Sequence, residues 1–72
     1  MITIQSITKI ESVTIFFDNE GIEEMIRFLE FIKYNDASFH LSIGNELEEN
    51  TFDAEQFVIP HAKIINVDKL ST

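Results

Sequence analysis

The chain has 72 residues, no cysteine, 44% hydrophobic residues and a formal net charge of −8. A chain this short buries about 60% of its unfolded surface, enough for one core, so we expect a single domain over residues 1–72. Its apolar content excludes intrinsic disorder, and the absence of cysteine excludes disulfides and thiolate metal sites and predicts a cytoplasmic, bacterial-type setting. The negative charge disfavours direct binding to nucleic acid and to anionic membranes.

The N-terminal segment MITIQSITKIES alternates apolar with polar residues, and its part ITIQSITKI, which is rich in β-branched residues, predicts a β-strand. It lacks the basic region and the continuous apolar run of a secretory signal, and no stretch reaches the roughly 20 apolar residues of a membrane span. The next segment, SVTIFFD, predicts a second strand with Val13, Ile15 and Phe17 on one face. We expect the two strands to pair, although KIES between them lacks tight-hairpin residues, and one long bent strand is the open alternative.

The segment DNEGIEEMIRFLEFIKYN predicts an α-helix. Its apolar residues recur at helical spacing and form one stripe that should face the core, namely Ile22, Met25, Ile26, Leu29 and Ile32. Asp18 or Asn19 is suited to cap the first turn, and Asn35 to end the helix. Phe31 lies opposite the stripe, so we expect it to stay partly exposed unless a loop or another subunit covers it.

Two further strands are predicted after the helix. ASFHLSI places Phe39, Leu41 and Ile43 on one face and His40 on the other. QFVIPHAKIINV is interrupted by Pro60, which removes a ladder donor and favours an edge position or a bulge. The order β-β-α-β-β predicts an α+β fold, a small antiparallel sheet with one helix packed on one face.

An acidic loop connects these last two strands, and no lysine or arginine occurs between Tyr34 and Ala62. The loop lacks the alternating ligands and central glycine of a high-affinity calcium site. We therefore predict that it binds a basic protein surface, with carboxylates that steer association and apolar side chains that supply desolvated contacts. The predicted partner-binding residues are Glu46, Leu47, Glu48, Glu49, Phe52, Asp53, Glu55 and, from the helix, Phe31. The alternative for Leu47 and Phe52 is that they fold back over the edge of the core.

His40 and His61 are the remaining candidates for chemistry. They would be neighbours if the last two strands pair, and with Glu46 or Asp53 they could form a facial metal site. No His-x-x-x-His spacing, nucleophile motif or hydrogen-bonding partner accompanies them. The pattern favours two surface histidines, and we predict no catalytic residue, metal or other cofactor.

Three segments, GIEEMIRFLEFI, SFHLSIGNELEEN and VIPHAKIINV, resemble the small immunity proteins of bacterial polymorphic toxin systems. The resemblance implies a cytoplasmic protein that binds and blocks a cognate toxin. The residues independently favour a small, acidic, non-catalytic binding protein whose partner is a basic protein such as a toxin domain or a nuclease. The alternatives are a phage-type nucleic-acid mimic that occupies a nuclease or defence complex, a homodimeric structural or interaction domain, and, least favoured, a hydrolase centred on the two histidines.

Overall fold

The computed structural model describes residues 1–70. Within that range the elements are β1 (Ile2–Ile7), β2 (Ser12–Phe17), α1 (Asn19–Tyr34), β3 (Ser38–Ser42), β4 (Phe57–Val58) and β5 (His61–Ile65), with short 3₁₀ helices at Thr8–Ile10 and Val67–Lys69. The strands pair antiparallel in the orders β2-β1-β4 and β3-β5. The predicted α+β fold is confirmed, and its strands form two small sheets rather than one.

The first two strands form a hairpin, which resolves the choice left open by the sequence. Ile2 lies opposite Phe17 and Ile7 opposite Ser12. The connection is the Thr8–Ile10 turn, followed by Glu11 at φ 50°, where the Glu11 N–H donates to the Thr8 carbonyl at 3.2 Å. A non-glycine residue in the left-handed region thus reverses the chain where a glycine would ordinarily be expected.

The interruption at Pro60 marks the point where the chain passes from one sheet to the other. Before it, β4 pairs with β1, and the Ile59 N–H donates to the Ile4 carbonyl at 2.8 Å. After it, β5 pairs with β3. The Pro60 carbonyl accepts from Ile43 at 3.0 Å, whereas its missing N–H could not have continued the ladder.

The helix begins and ends at the predicted residues, because its terminal groups have local partners. The Asp18 carboxylate accepts from the Gly21 N–H at 2.7 Å, and the Asn35 N–H donates to Phe31 at 2.9 Å. Gly21 also lies against the start of the chain: a Cβ at this position would stand 2.0 Å from the Met1 carbonyl oxygen. The first turn therefore approaches the backbone before β1 more closely than any side chain would allow.

The core lies between α1, the β3-β5 sheet and one face of the β2-β1-β4 sheet. Its fully buried members come from β1, β3 and the acidic loop, and are Ile2, Ile4, Leu41 and Leu47. Partly buried side chains surround them, namely Met25, Phe28, Phe39, Ile43, Ile59, Ala62 and Ile64. Leu41, Phe39 and Ile43 thus face the core, as the alternation predicted.

The prediction that the whole apolar stripe of α1 faces the core is wrong. Ile22, Ile26 and Leu29 are each about half exposed, and the buried side of the helix is formed by Gly21, Met25, Phe28 and Ile32. Two contacts explain this rotation. Gly21 is held against Met1, and the Phe28 ring stacks on Phe39 with a centroid separation of 4.8 Å.

Candidate partner-binding site

After Leu47, the acidic loop (residues 44–56) crosses the face of the β2-β1-β4 sheet that points away from α1. Side chains on β1 alternate, so Ile2 and Ile4 enter the core while Thr3 and Gln5 point to the opposite face. Thr3 and Gln5 are both fully buried, although both are polar. Their burial shows that the loop covers this face of the strand.

Gln5 makes four hydrogen bonds with the loop. Its Nε2 donates to the carbonyls of Asp53 at 3.0 Å and Gln56 at 3.1 Å, and its Oε1 accepts from the N–H groups of Phe52 at 3.0 Å and Asp53 at 3.2 Å. An amide side chain offers two donors and two acceptor lone pairs, so this glutamine is fully satisfied. The loop backbone from Phe52 to Gln56 is therefore held in one conformation.

Thr3 holds the first part of the loop in the same way. Its hydroxyl donates to the Glu48 carbonyl at 2.8 Å and accepts from Asn50 Nδ2 at 3.1 Å. The Glu48 N–H donates to the Ile2 carbonyl at 2.8 Å. The sequence interpretation did not identify Thr3 or Gln5. The sequence carries no signal for their burial, because a polar residue at every second position of a strand ordinarily marks a face turned to solvent.

Leu47 is a core residue and not an exposed contact. Its side chain is 1% exposed and packs with Ile2, Ile4 and Leu41. The turn that carries it is closed locally, since the Leu47 N–H donates to the Ser42 carbonyl at 3.0 Å. Of the two alternatives for Leu47, the structure shows the one in which it folds back over the core, so it is removed from the predicted contact residues.

Two of the loop carboxylates are used to shape the loop. Glu46 Oε1 accepts from the Ser42 N–H at 3.1 Å. Asp53 accepts from the Glu55 N–H at 3.0 Å and from Gln56 Nε2 at 2.9 Å. These hydrogen bonds, first that from the Glu55 backbone and then that from Gln56, lower the pKa of Asp53 below its ordinary value. Asp53 therefore remains charged while it orders the end of the loop.

The other loop acids are exposed, and so is one aromatic ring of the same loop. Glu48, Glu49 and Glu55 are exposed. Phe52 is 52% exposed, and its ring stacks on Phe16 of β2 with a centroid separation of 4.8 Å. Within residues 1–70, the only ion pair joins the N-terminal ammonium to Asp18. The loop thus carries carboxylates without an ion-pair partner among the described residues, and it also carries a half-exposed ring.

Phe31 lies apart from this group. Its ring meets Phe39 of β3 edge-on, at a centroid separation of 5.4 Å, and about a third of its surface remains exposed. The partial exposure matches the expectation from the helical pattern. However, its aromatic neighbour is Phe39 rather than Phe52, so the structure does not group Phe31 with the loop residues.

His40 and His61 are neighbours on the outer face of the β3-β5 sheet. Both are exposed, and their ring centroids lie 5.5 Å apart. His40 is paired with Lys63 across the strands, and His61 with Ser42. No group of three or more potential metal ligands is found in the part of the chain that the structure describes. Of the expected further ligands, Glu46 instead accepts from the Ser42 N–H at the end of β3, and Asp53 accepts from Glu55 and Gln56 of its own loop.

Comparison of the chain with protein-family models, with curated protein sequences and with solved structures finds no match. Residues 1–70 contain no helix long and apolar enough to cross a membrane. They also enclose no pocket.

Proposed function

We propose that this protein is a non-catalytic binding protein whose acidic loop attaches to a basic surface of another protein and blocks it. An immunity protein that neutralises a toxin domain or a nuclease acts in this way. We propose a cytoplasmic location for it, since a chain without cysteine suits a reducing compartment.

The observation that carries the proposal is the hydrogen bonding of the loop to β1. Gln5 and Thr3 hold the loop backbone before any partner arrives. A preformed loop loses little conformational entropy on binding, so more of the interaction energy appears as affinity. Uncompensated carboxylates accelerate encounter with a positively charged surface, and the half-exposed Phe52 ring provides an apolar contact within the charged rim.

The nucleic-acid mimic receives less support from the distribution of the acids. The loop acids lie over one face of the β2-β1-β4 sheet, whereas the helix acids belong to the element packed on the other face. The helix acids are Glu20, Glu23, Glu24 and Glu30. A mimic of a phosphate backbone needs its carboxylates in a row along one side.

The test begins with capture of the partner from the source cells at low and at high salt, followed by identification by mass spectrometry. The association rate of the purified pair is then measured with Glu48, Glu49 and Glu55 replaced by lysine. We expect association at low salt to slow by about tenfold or more, and the difference to shrink at high salt.

A matched control separates the effect of the loop acids on the association rate from the effect of net charge. Glu11, Asp36 and Asp68, which are exposed and lie outside both the loop and α1, are replaced by lysine in a second variant, which changes the net charge by the same amount. This variant should associate at nearly the original rate. Equal slowing in both variants, or no slowing in either, would remove the loop from the proposal.

A further inference from the structure

An uncovered apolar surface lies on the side of the β2-β1-β4 sheet that carries the helix. Its members belong to β2 and α1, and each exposes more than a third of its surface. They are Val13, Ile15, Phe17, Ile22, Ile26 and Leu29, and we call them the open apolar surface. It is separate from the acidic loop, which crosses the opposite face of the same sheet.

The strand half of the surface follows from the register of the hairpin. Residues directly opposite in an antiparallel pair share a face, so Phe17 lies beside Ile2 and Ile15 beside Ile4. Ile2 and Ile4 are buried in the core, whereas Phe17 and Ile15 are exposed. The core therefore covers β1 completely on this face and covers β2 only in part.

The helix half of the surface lies on the flank of α1 that is turned away from β3. The rings of Phe28 and Phe31 contact Phe39, so β3 lies on that flank of α1. At 100° per residue, Ile22, Ile26 and Leu29 occupy the other flank. The strand farthest from β3 is β2, because β1 and the β4–β5 segment lie between them. Both halves thus belong to the side of the molecule away from β3.

The outer edge of β2 is unpaired and unprotected. Among the described residues, β2 pairs only with β1. Its six residues, SVTIFF, include no charged residue and no proline. Proteins that remain monomeric usually guard such an edge with lysine, proline or a bulge, since its free N–H and C=O groups otherwise pair with another chain.

The exposed area is larger than a monomer of this mass should have. A folded 8.3 kDa protein is expected to expose about 4,600 Å², whereas this chain exposes 5201 Å². The excess of about 600 Å² approaches the roughly 800 Å² that each partner buries in a stable interface. The molecule is also flat, at 39 × 28 × 18 Å, with a radius of gyration of 13.3 Å where about 11 Å is expected.

We propose that a second copy of this chain covers the open apolar surface, with the two β2 strands paired antiparallel across a two-fold axis. A two-fold interface must be complementary to itself, and an uncharged apolar strand is, whereas an acidic strand would repel its copy. The pairing joins two three-stranded sheets into one of six strands and covers the free β2 edge of each copy. The dimer presents two acidic loops on the opposite face.

The charges of α1 suit this arrangement. Two helices related by the axis run antiparallel, so the first turns of one lie beside the last turns of the other. The first turns carry three glutamates, and the later turns carry two basic residues against one acid; in order these are Glu20, Glu23, Glu24, Arg27, Glu30 and Lys33. The acidic end of each helix therefore lies beside the basic end of its partner, which offsets part of the repulsion between two acidic chains.

Sedimentation equilibrium of the full chain over about 1–100 μM measures the association directly. We expect a mass of twice 8.3 kDa. Val13→Lys and Ile26→Lys should each halve that mass while circular dichroism shows a folded chain, because both side chains are exposed in the single chain and become buried in the dimer. Val67→Lys makes the same chemical change at a residue that is 72% exposed outside the surface, and should leave the dimer intact.

A wild-type mass of 8.3 kDa across the whole range would overturn the proposal, whatever the acidic loop binds. A dimer that survives both Val13→Lys and Ile26→Lys, or that Val67→Lys disrupts equally, would overturn the choice of surface. If the lysine variants unfold, hydrogen exchange of the wild type decides. Amides of β2 that gain protection as concentration rises support the proposal, and protection independent of concentration contradicts it.

Discussion

The two faces of the β2-β1-β4 sheet are covered by different means. On the loop face, polar side chains of β1 are buried completely, and hydrogen bonds hold the covering loop. On the helix face, apolar side chains of β1 are buried, but those of β2 remain exposed. Hydrogen bonds require specific partners and thus define one loop conformation, whereas apolar contact is non-directional and leaves room for a further chain.

Replacement of Gln5 by alanine should have the largest effect on the loop face. The change leaves two N–H groups and two carbonyls of the loop without their protein partner, so we expect a loss of about 3–5 kcal/mol in the free energy of unfolding. Urea denaturation measures the loss. Ser6→Ala removes a single hydrogen bond, from the Ser6 hydroxyl to the Ser12 carbonyl, and should cost about 1 kcal/mol. Similar losses for both variants would mean that Gln5 does not hold the loop.

Substitutions of Leu47 and Phe52 should affect different properties of the same loop, namely stability for Leu47 and partner binding for Phe52. Leu47→Ala opens a cavity in the core and should cost about 2–5 kcal/mol. Phe52→Ala removes a half-exposed ring and should cost about 1 kcal/mol or less, yet it should weaken binding to the captured partner. Thermal denaturation and a binding titration on both variants test this division. The reverse order of stability losses would contradict the burial of Leu47.

Gly21→Ala tests the close approach of the first turn of α1 to the Met1 backbone. Helix propensity alone predicts a gain of about 1 kcal/mol. The new Cβ would meet the Met1 carbonyl at 2.0 Å, so backbone must move, and we expect a net loss of about 2 kcal/mol. Chemical denaturation gives the sign. A stabilised variant would show that α1 does not approach Met1 so closely.

The smallest expected effect is the pH dependence of the hydrogen bond by which Asp53 orders the end of the loop. The pKa of Asp53 is lower in the folded chain than its ordinary value of 3.8. Its contribution is therefore present above pH 3.8 and is lost as the pH falls through the folded pKa. The protection factor of the Glu55 amide, which is its exchange rate relative to that of an unstructured amide at the same pH, should fall on acidification in the wild type. In Asp53→Asn the amide should exchange with no such acid-dependent step, and an identical pH profile in both proteins would contradict the assignment.

Much of the fold could be predicted because it depends on short-range interactions. Asp18 caps the helix through a hydrogen bond three residues away, the alternation in β3 directs Leu41 inward and His40 outward, and Pro60 lacks the N–H that a continuous strand needs. The acidic loop was also evident from composition. The site was only partly predictable, since the same pattern left Leu47 and Phe52 equivalent.

The sequence by itself determined which segments form strands and helix, where they end and where negative charge collects. Only the tertiary structure decided which side of each segment is buried. Leu47 packs against β1 residues more than 40 positions away, and the rotation of α1 depends on the approach of Gly21 to Met1 and on Phe28 stacking with Phe39. Periodicity reports a segment's own pattern, whereas burial depends on what a distant segment places against it.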